Sequence, residues 1–222
     1  MLDIIFPPRC AGCRELGDWV CPRCQAKIEI IRTPICYQCN RISEDFKVCP
    51  KCRRTGSVNR LIVYGYWQSP LKELVYGLKY YRVRPVVNVL GGWLAEVATR
   101  SCQGVDLVVV PVPLHRRRLW ERGFNQAQSL AEIVAERTGW PLERALVRRK
   151  FTRPQFGLSK RERRGNIQGV FAVPAHQKPI LLGKTVLLID DIVTTGATIN
   201  ECAKVLKQNG VREVWGLILA KA

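Results

Sequence analysis

No apolar run in this chain approaches the roughly 20 residues that a membrane-spanning helix needs, so no membrane insertion is expected. The opening residues, Met1-Leu2-Asp3-Ile4-Ile5-Phe6-Pro7-Pro8, form too short an apolar stretch and meet an acid too early to read as a secretory signal. A cytoplasmic protein is expected. Acidic residues are scarce: 18 Asp and Glu stand against 36 Lys and Arg, a formal charge of +18. That imbalance predicts attraction to polyanions such as nucleic acid, weakening as salt rises. Histidine is nearly missing. The two present, His115 and His176, read as a loop residue and a turn residue. No apolar heptad marks a partner helix.

Cysteine, by contrast, is plentiful and unevenly placed. Eight of the ten form four Cys-x-x-Cys pairs, Cys10/Cys13, Cys21/Cys24, Cys36/Cys39 and Cys49/Cys52, all in the first quarter of the chain. In a cytosolic setting such spacing argues against disulfides. A Cys-x-x-Cys knuckle points two sulfurs at one metal, and two knuckles complete a tetrahedral site of four thiolates. A redox dithiol belongs in a βαβ setting, and four pairs in series favour two structural zinc ions, with iron–sulfur ligation the lesser alternative. Sequential pairing, Cys10/Cys13/Cys21/Cys24 and Cys36/Cys39/Cys49/Cys52, closes shorter loops than a crossed arrangement. The module, residues 1–57, has too few apolar residues to fold by burial alone, so metal would supply stability. With no histidine or carboxylate placed to leave an open coordination position, catalysis at these sites is not expected. Two tetrathiolate zinc sites, each carrying about −2, would leave the chain near a charge of about +14. Cys102 and Cys202 stand alone and read as buried thiols.

The remaining residues, 58–222, are enough for one α/β domain, and the 47% apolar content supports a packed core. A strand is expected over 60–67. A helix follows over 69–79, with Ser69 as N-cap and Pro70 at its first position. A second helix, 85–99, is interrupted at Gly91-Gly92. A strongly apolar strand covers 106–112, and a helix runs over 125–138 and stops at Gly139. Short β pieces are expected near 145–148 and 169–173, and a last strand at 213–220. Strands alternating with helices predict a mostly parallel, doubly wound sheet.

The most informative stretch is Val186-Leu187-Leu188-Ile189-Asp190-Asp191-Ile192-Val193-Thr194-Thr195-Gly196-Ala197-Thr198-Ile199. Four apolar residues read as a buried parallel strand. Two carboxylates follow where it should end, then a Thr/Gly loop, then a helix over 198–208 closed by Gly210. Ligands of open α/β sheets sit at the carboxyl ends of strands. A glycine loop entering a helix N-terminus offers backbone N–H groups that favour phosphate. The segment therefore pairs a phosphate cradle with acceptors for adjacent hydroxyls, a combination suited to a sugar phosphate.

This stretch resembles the phosphoribosyl pyrophosphate (PRPP) signature of type I phosphoribosyltransferases. The resemblance implies PRPP, with Mg2+, lying across the strand ends. Asp190 and Asp191 would accept the ribose hydroxyls, and Thr194, Thr195, Gly196, Ala197 and Thr198 would wrap the 5-phosphate. It places a pyrophosphate loop after Val112, with Arg116, Arg117 and Arg118, and a mobile catalytic lid over 148–166, from which Lys150, Arg153 or Lys160 would reach in. The strand and helix over 64–79 would form part of a hood over the acceptor.

Four Cys-x-x-Cys pairs precede Tyr64-Gly65-Tyr66 and Gly77-Leu78-Lys79-Tyr80. Then come Pro111-Val112-Pro113-Leu114, Arg122-Gly123-Phe124-Asn125-Gln126 and Arg153-Pro154-Gln155, and last the PRPP motif. This combination resembles the ComF family of competence-associated proteins over nearly the whole chain. It implies a phosphoribosyltransferase fold with an N-terminal double zinc ribbon, and a role in DNA uptake during natural transformation. It also implies single-stranded DNA and other DNA-uptake proteins as partners. Two activities stay open. One is transfer of ribose 5-phosphate from PRPP to a nucleophile with release of pyrophosphate, for which the sequence names no nucleophile. The other is binding without turnover. Basic residues interleaved with aromatics support the second: Lys79, Tyr80, Tyr81 and Arg82; Arg122 and Phe124; Arg149, Lys150, Phe151 and Arg153. In the cysteine module Arg23, Tyr37, Lys47, Lys51, Arg53 and Arg54 either face nucleic acid or keep a small module in solution.

Overall fold

The computed structural model describes residues 8–80, 84–152 and 160–222. Its centre is a four-stranded parallel sheet in the order β1-β6-β5-β2, built from β1 (Arg60–Tyr66), β2 (Leu107–Pro111), β5 (Thr185–Val193) and β6 (Glu213–Lys221). A separate antiparallel pair, β3 (Val147–Arg148) and β4 (Phe171–Ala172), holds the two short β pieces together. β5 and β6 are buried on both faces, as the unbroken apolar runs of central parallel strands require.

Helices cover both faces. Against one lie α2 (Leu71–Tyr80), α3 (Arg84–Ser101) and α5 (Gln126–Thr138), packed on Ile62, Tyr64, Leu187, Ile189, Trp215 and Leu217. Against the other lies α8 (Ala197–Gln208), with the β3–β4 pair and the second half of the cysteine module, on Leu61, Val63, Val186, Leu188 and Ile218. The sheet is therefore doubly wound, as its alternating pattern implies.

The cysteine module sits on the free edge of β1. Among its described residues the one α-helix is the short α1 (Pro22–Ala26), with Cys21 at the N-cap. Ile31 N–H donates to Tyr64 O at 2.9 Å, Tyr66 N–H to Glu29 O at 3.1 Å and Val48 N–H to Asn59 O at 3.0 Å. These bonds occupy an edge that would otherwise invite pairing with another chain. Ala11, Trp19 and Val20 pack toward one face of the sheet, and Cys36, Tyr37, Cys49 and Cys52 toward the other. The module thus straddles the sheet rather than hanging beside it.

Four expectations change. The helix α3 runs unbroken through Gly91 and Gly92. A Cβ on Gly91 would lie 2.6 Å from Ile133 Cβ, and one on Gly92 2.7 Å from Arg137 Nη1. The glycines serve the close approach of α3 and α5, not a break. β5 does not end before the carboxylates, because Ile192 and Val193 still pair with Ala220 and Lys221 of the long β6. β1, expected in a hood, is the edge strand of the main sheet. Part of the segment read as a mobile lid is helical, forming α6 (Lys160–Ile167), while 153–159 lie outside the described residues.

Among the described residues, no helix is long and apolar enough to cross a membrane.

Candidate functional site

The sheet brings the motif to its carboxyl edge. Val186 and Leu188 face α8, Leu187 and Ile189 face α3 and α5, and Asp190 continues the first alternation. Its carboxylate raises the pKa of Cys202 on α8, a thiol already pushed well up by full burial, and supports the charge of Arg148 on β3. Asp190 Oδ1 also accepts the N–H of Asp191 at 2.9 Å.

After Val193 the chain turns through Thr194 and Thr195 to Gly196, which occupies the left-handed region at φ 72° as N-cap of α8. Gly196 has no side chain of its own with which to cap this helix. Thr195 Oγ1 reaches Ala197 N–H at only 3.4 Å. The first turn of a helix leaves N–H groups without intrahelical acceptors, and here they lie one short turn beyond the strand end that carries two carboxylates. Asp190, Asp191 and 194–198 lie in order along the end of β5 and the turn into α8. Asp190, Thr194, Gly196, Ala197 and Thr198 line one concavity there.

The arginine cluster is arranged differently from expectation. Arg116, Arg117 and Arg118 do not lie on a loop but open α4 (Arg116–Arg122), because His115 Nδ1 accepts Arg117 N–H at 3.2 Å and caps the turn. Only Arg118 points inward. Burial and then Arg122 lower its pKa, and its Nη2 donates to Thr152 O at 3.3 Å. Arg116 and Arg117 are exposed, with Arg117 paired to Glu121 at 3.1 Å. Lys150 is exposed two residues beyond β3.

Sequence reasoning missed Arg148 as a site residue. Burial, then the neighbouring Arg118, push its pKa down, while Cys202 and Asp190 act against that shift. It bonds Thr152 Oγ1, and its Nε is buried without a hydrogen-bond partner. Two guanidinium groups that repel each other in a part-buried place beside a carboxylate are chemistry suited to a multiply charged anion. The signal in the sequence was a lone Arg in a basic run, which local spacing does not distinguish from its neighbours.

The cysteines meet in the sequential arrangement. Cys10, Cys13, Cys21 and Cys24 form one group, Cys36, Cys39, Cys49 and Cys52 the other, and within each the sulfurs all lie within 4.8 Å. Tetrahedral Zn–S bonds of about 2.3 Å put sulfurs about 3.8 Å apart. Cys13–Cys21 at 3.6 Å and Cys39–Cys49 at 3.7 Å fit that geometry. Burial raises Cys10, but the backbone N–H groups of Cys21, Cys13 and Gly12 outweigh it and bring the thiol down to about 6. Cys36 comes down to about 7 in the same way, through the N–H groups of Cys49, Gln38 and Cys39. Crowding by the Cys49 sulfur, then burial, push Cys52 up to about 12. A divalent cation at the centre favours all four thiolates at once. The donor sets therefore fit closed structural zinc sites.

The nucleic-acid candidates divide. Arg153, Tyr81 and Arg82 lie outside the described residues, as do the side chains of Lys79, Tyr80 and Lys160. Phe124 lines a cleft with Glu132 and Glu136, a poor surface for a polyanion. Arg122 is half-buried, and Arg149 is exposed. Phe151 is 46% exposed and carries the Arg117 and Arg118 guanidiniums 4.9 and 5.9 Å from its ring centre, with His115 edge-on at 5.2 Å. Trp120 on α4, which the sequence reading passed over, is 87% exposed.

Comparison with known proteins finds the same two modules. Residues 1–55 match the family model described as a double zinc ribbon domain, and residues 122–220 the one described as a phosphoribosyl transferase domain. The chain is 32% identical to DNA utilization protein YhgH of Escherichia coli (strain K12) over 96% of its length and 98% of the relative's. It is 29% identical to competence protein F of Haemophilus influenzae over 90% of its length and 96% of the relative's. Against competence protein ComFC of Bacillus subtilis it is 29% identical over 86% of its length and 79% of the relative's.

Proposed function

Because this chain belongs to the ComF family, in which a double zinc ribbon precedes a phosphoribosyl transferase domain, we propose that it binds phosphoribosyl pyrophosphate at the β5–α8 turn and single-stranded DNA on and around α4. The relatives' names speak of competence and DNA utilization, and a part in handling incoming DNA is the reading we carry to this chain.

The observation that supports the first half best is the glycine N-cap of α8, reached by a short turn from the end of β5 that carries Asp190 and Asp191. The 5-phosphate would take the N–H groups of 196–199 and the hydroxyls of Thr194, Thr195 and Thr198. Asp190 and Asp191 would accept the ribose hydroxyls. Arg118 and Arg148 would hold the diphosphate, which offers the buried Arg148 Nε an acceptor and relieves the repulsion between the two guanidiniums. Mg2+, when bound, would neutralise diphosphate charge beside the two carboxylates, whose hard oxygens suit it. Calorimetric titration of PRPP with Mg2+ tests this reading. Wild type binds, and Asp190→Asn weakens binding by at least about tenfold, the loss of a charge-assisted bond. An absence of binding by wild type would sink the reading. Pyrophosphate release in the presence of nucleobases decides turnover in the same samples.

The DNA half rests on Trp120 and Phe151, exposed aromatics among Arg116, Arg117 and Arg149. Bases stack on such rings while guanidiniums follow the phosphates. Structural zinc would shape the ribbon and take no part in chemistry.

A further inference from the structure

The geometry points to the second cysteine cluster as the element that fixes the phosphate-binding turn, with Tyr37 as the positioning residue that joins them. The inference rests on reading 194–198 as that turn. Tyr37 follows the ligand-type residue Cys36 and is only 3% exposed. Its ring lies against Gly196: a Cβ built there would come 2.5 Å from Cε2, 2.8 Å from the hydroxyl oxygen and 3.0 Å from Cζ. The ring therefore fills the volume behind the N-cap, and only glycine tolerates it so near.

The hydroxyl adds a second tie. It accepts Asn200 Nδ2 at 2.6 Å and Gln38 Nε2 at 2.8 Å. Asn200 in turn donates its backbone N–H to Gly196 O at 3.0 Å, and its Oδ1 accepts Val58 N–H at 3.1 Å. One tyrosine thus links the knuckle, the N-cap of α8, its first turn and the junction between modules. Further along the same helix Lys207 Nζ donates to Ser57 O at 2.6 Å, and Gly56 lies against Lys204. The outer face of α8 is seated on the ribbon for most of its length.

The first cluster packs elsewhere. Gly12, inside it, abuts Pro70, and Trp19 and Val20 pack on the opposite core. The two metal sites, alike in ligands, are therefore unequal in consequence. A turn that offers backbone N–H groups to phosphate binds well only if it is ordered beforehand, since ordering it on binding subtracts from affinity. Tyr37 supplies that order from behind, without touching the ligand.

Hydrogen exchange of the zinc-loaded full chain tests this directly, because it reads the turn without any ligand. Tyr37→Leu is expected to keep two zinc per chain and to speed exchange across 194–200 by about tenfold or more. It should also weaken PRPP binding by a similar factor. Tyr37→Phe keeps the ring against Gly196 and should stay within about threefold of wild type in both. Where Tyr37→Leu fails to retain zinc, Asn200→Ala, away from the sulfurs, removes both the bond to the Tyr37 hydroxyl and the one accepted from Val58 N–H, and should speed exchange at the turn more than Tyr37→Phe does. Unchanged exchange at 194–200 in the zinc-retaining variant overturns the inference. Tyr37-dependent exchange in a protein with no PRPP affinity would instead sink the proposed ligand and leave the coupling standing.

Discussion

Replacing Gly196 by alanine probes the packing behind the candidate phosphate turn, and the structure supplies both the size of the effect and its control. An L-residue held in the left-handed region costs roughly 1–2 kcal/mol. The new methyl would also sit 2.5 Å from Tyr37 Cε2. The ring cannot swing clear, since it is buried and its hydroxyl holds Asn200 and Gln38. Overpacking of this kind costs about 1–3 kcal/mol. The total, about 2–5 kcal/mol, is a large share of the roughly 5–15 kcal/mol that holds a domain together. Gly210, at the other end of α8, is the control. It too is left-handed, at φ 87°, and its Cβ would also lie 2.5 Å from a neighbour, Leu182 Cδ1. That methyl ends a side chain 69% exposed, free to rotate away. Gly210→Ala should therefore cost only the backbone part, about 1–2 kcal/mol. Urea unfolding of the zinc-loaded chain measures both, with an unchanged slope confirming that the unfolded states match. Equal destabilisation of the two variants, within about 0.5 kcal/mol, would contradict this account, because the ring would then contribute nothing beyond strain.

Neighbouring glycines in α3 should respond with opposite signs. Gly91→Ala meets Ile133 at its stiff, branched Cβ and should destabilise by up to about 2 kcal/mol net, whereas Gly92→Ala meets the movable end of Arg137 and should stabilise by up to about 1 kcal/mol through helix propensity. Thermal unfolding ranks them, and a more stable Gly91→Ala would contradict the close helix crossing. Chelation of zinc should open eight thiols to a disulfide reagent while Cys102 and Cys202 stay protected by burial, which pushes Cys102 up to about 12. Ten fast thiols would mean that the sheet domain unfolds with the ribbon. Trp120→Ala should weaken binding of a fluorescent single-stranded oligonucleotide by about 5- to 100-fold, one stacked base, and leave PRPP affinity unchanged. Unaltered anisotropy titrations would remove α4 from the DNA surface. Serine in place of Cys39 should loosen the turn at 194–198, while serine at Cys13 should not. Exchange rates there decide between them, and equal responses would show that the clusters are coupled to the turn alike.

Local chemistry made much of this protein legible before folding was considered. An apolar strand, two carboxylates, a glycine turn and a helix stand next to each other in the chain, so the run of Asp190, Asp191 and 194–198 could be read directly. The sulfur clusters were legible for the same reason: Cys-x-x-Cys is a short-range geometry, and the shorter loops of sequential pairing decide between arrangements. Helix α5 announced itself with Asn125 at one end and Gly139 at the other. Which distant groups meet was settled only by the folded arrangement. Gly91 and Gly92 looked like a break because their partners, Ile133 and Arg137, lie some forty residues on. Arg148 gained its meaning from Arg118 and Asp190, and Tyr37 from Gly196, each met only through packing between separate elements. Trp120 carried no signal of its own in the sequence, and α4 leaves it facing solvent. Backbone propensity and spacing act over a few residues, whereas burial, repulsion between like charges and contact across elements exist only once the chain has closed on itself.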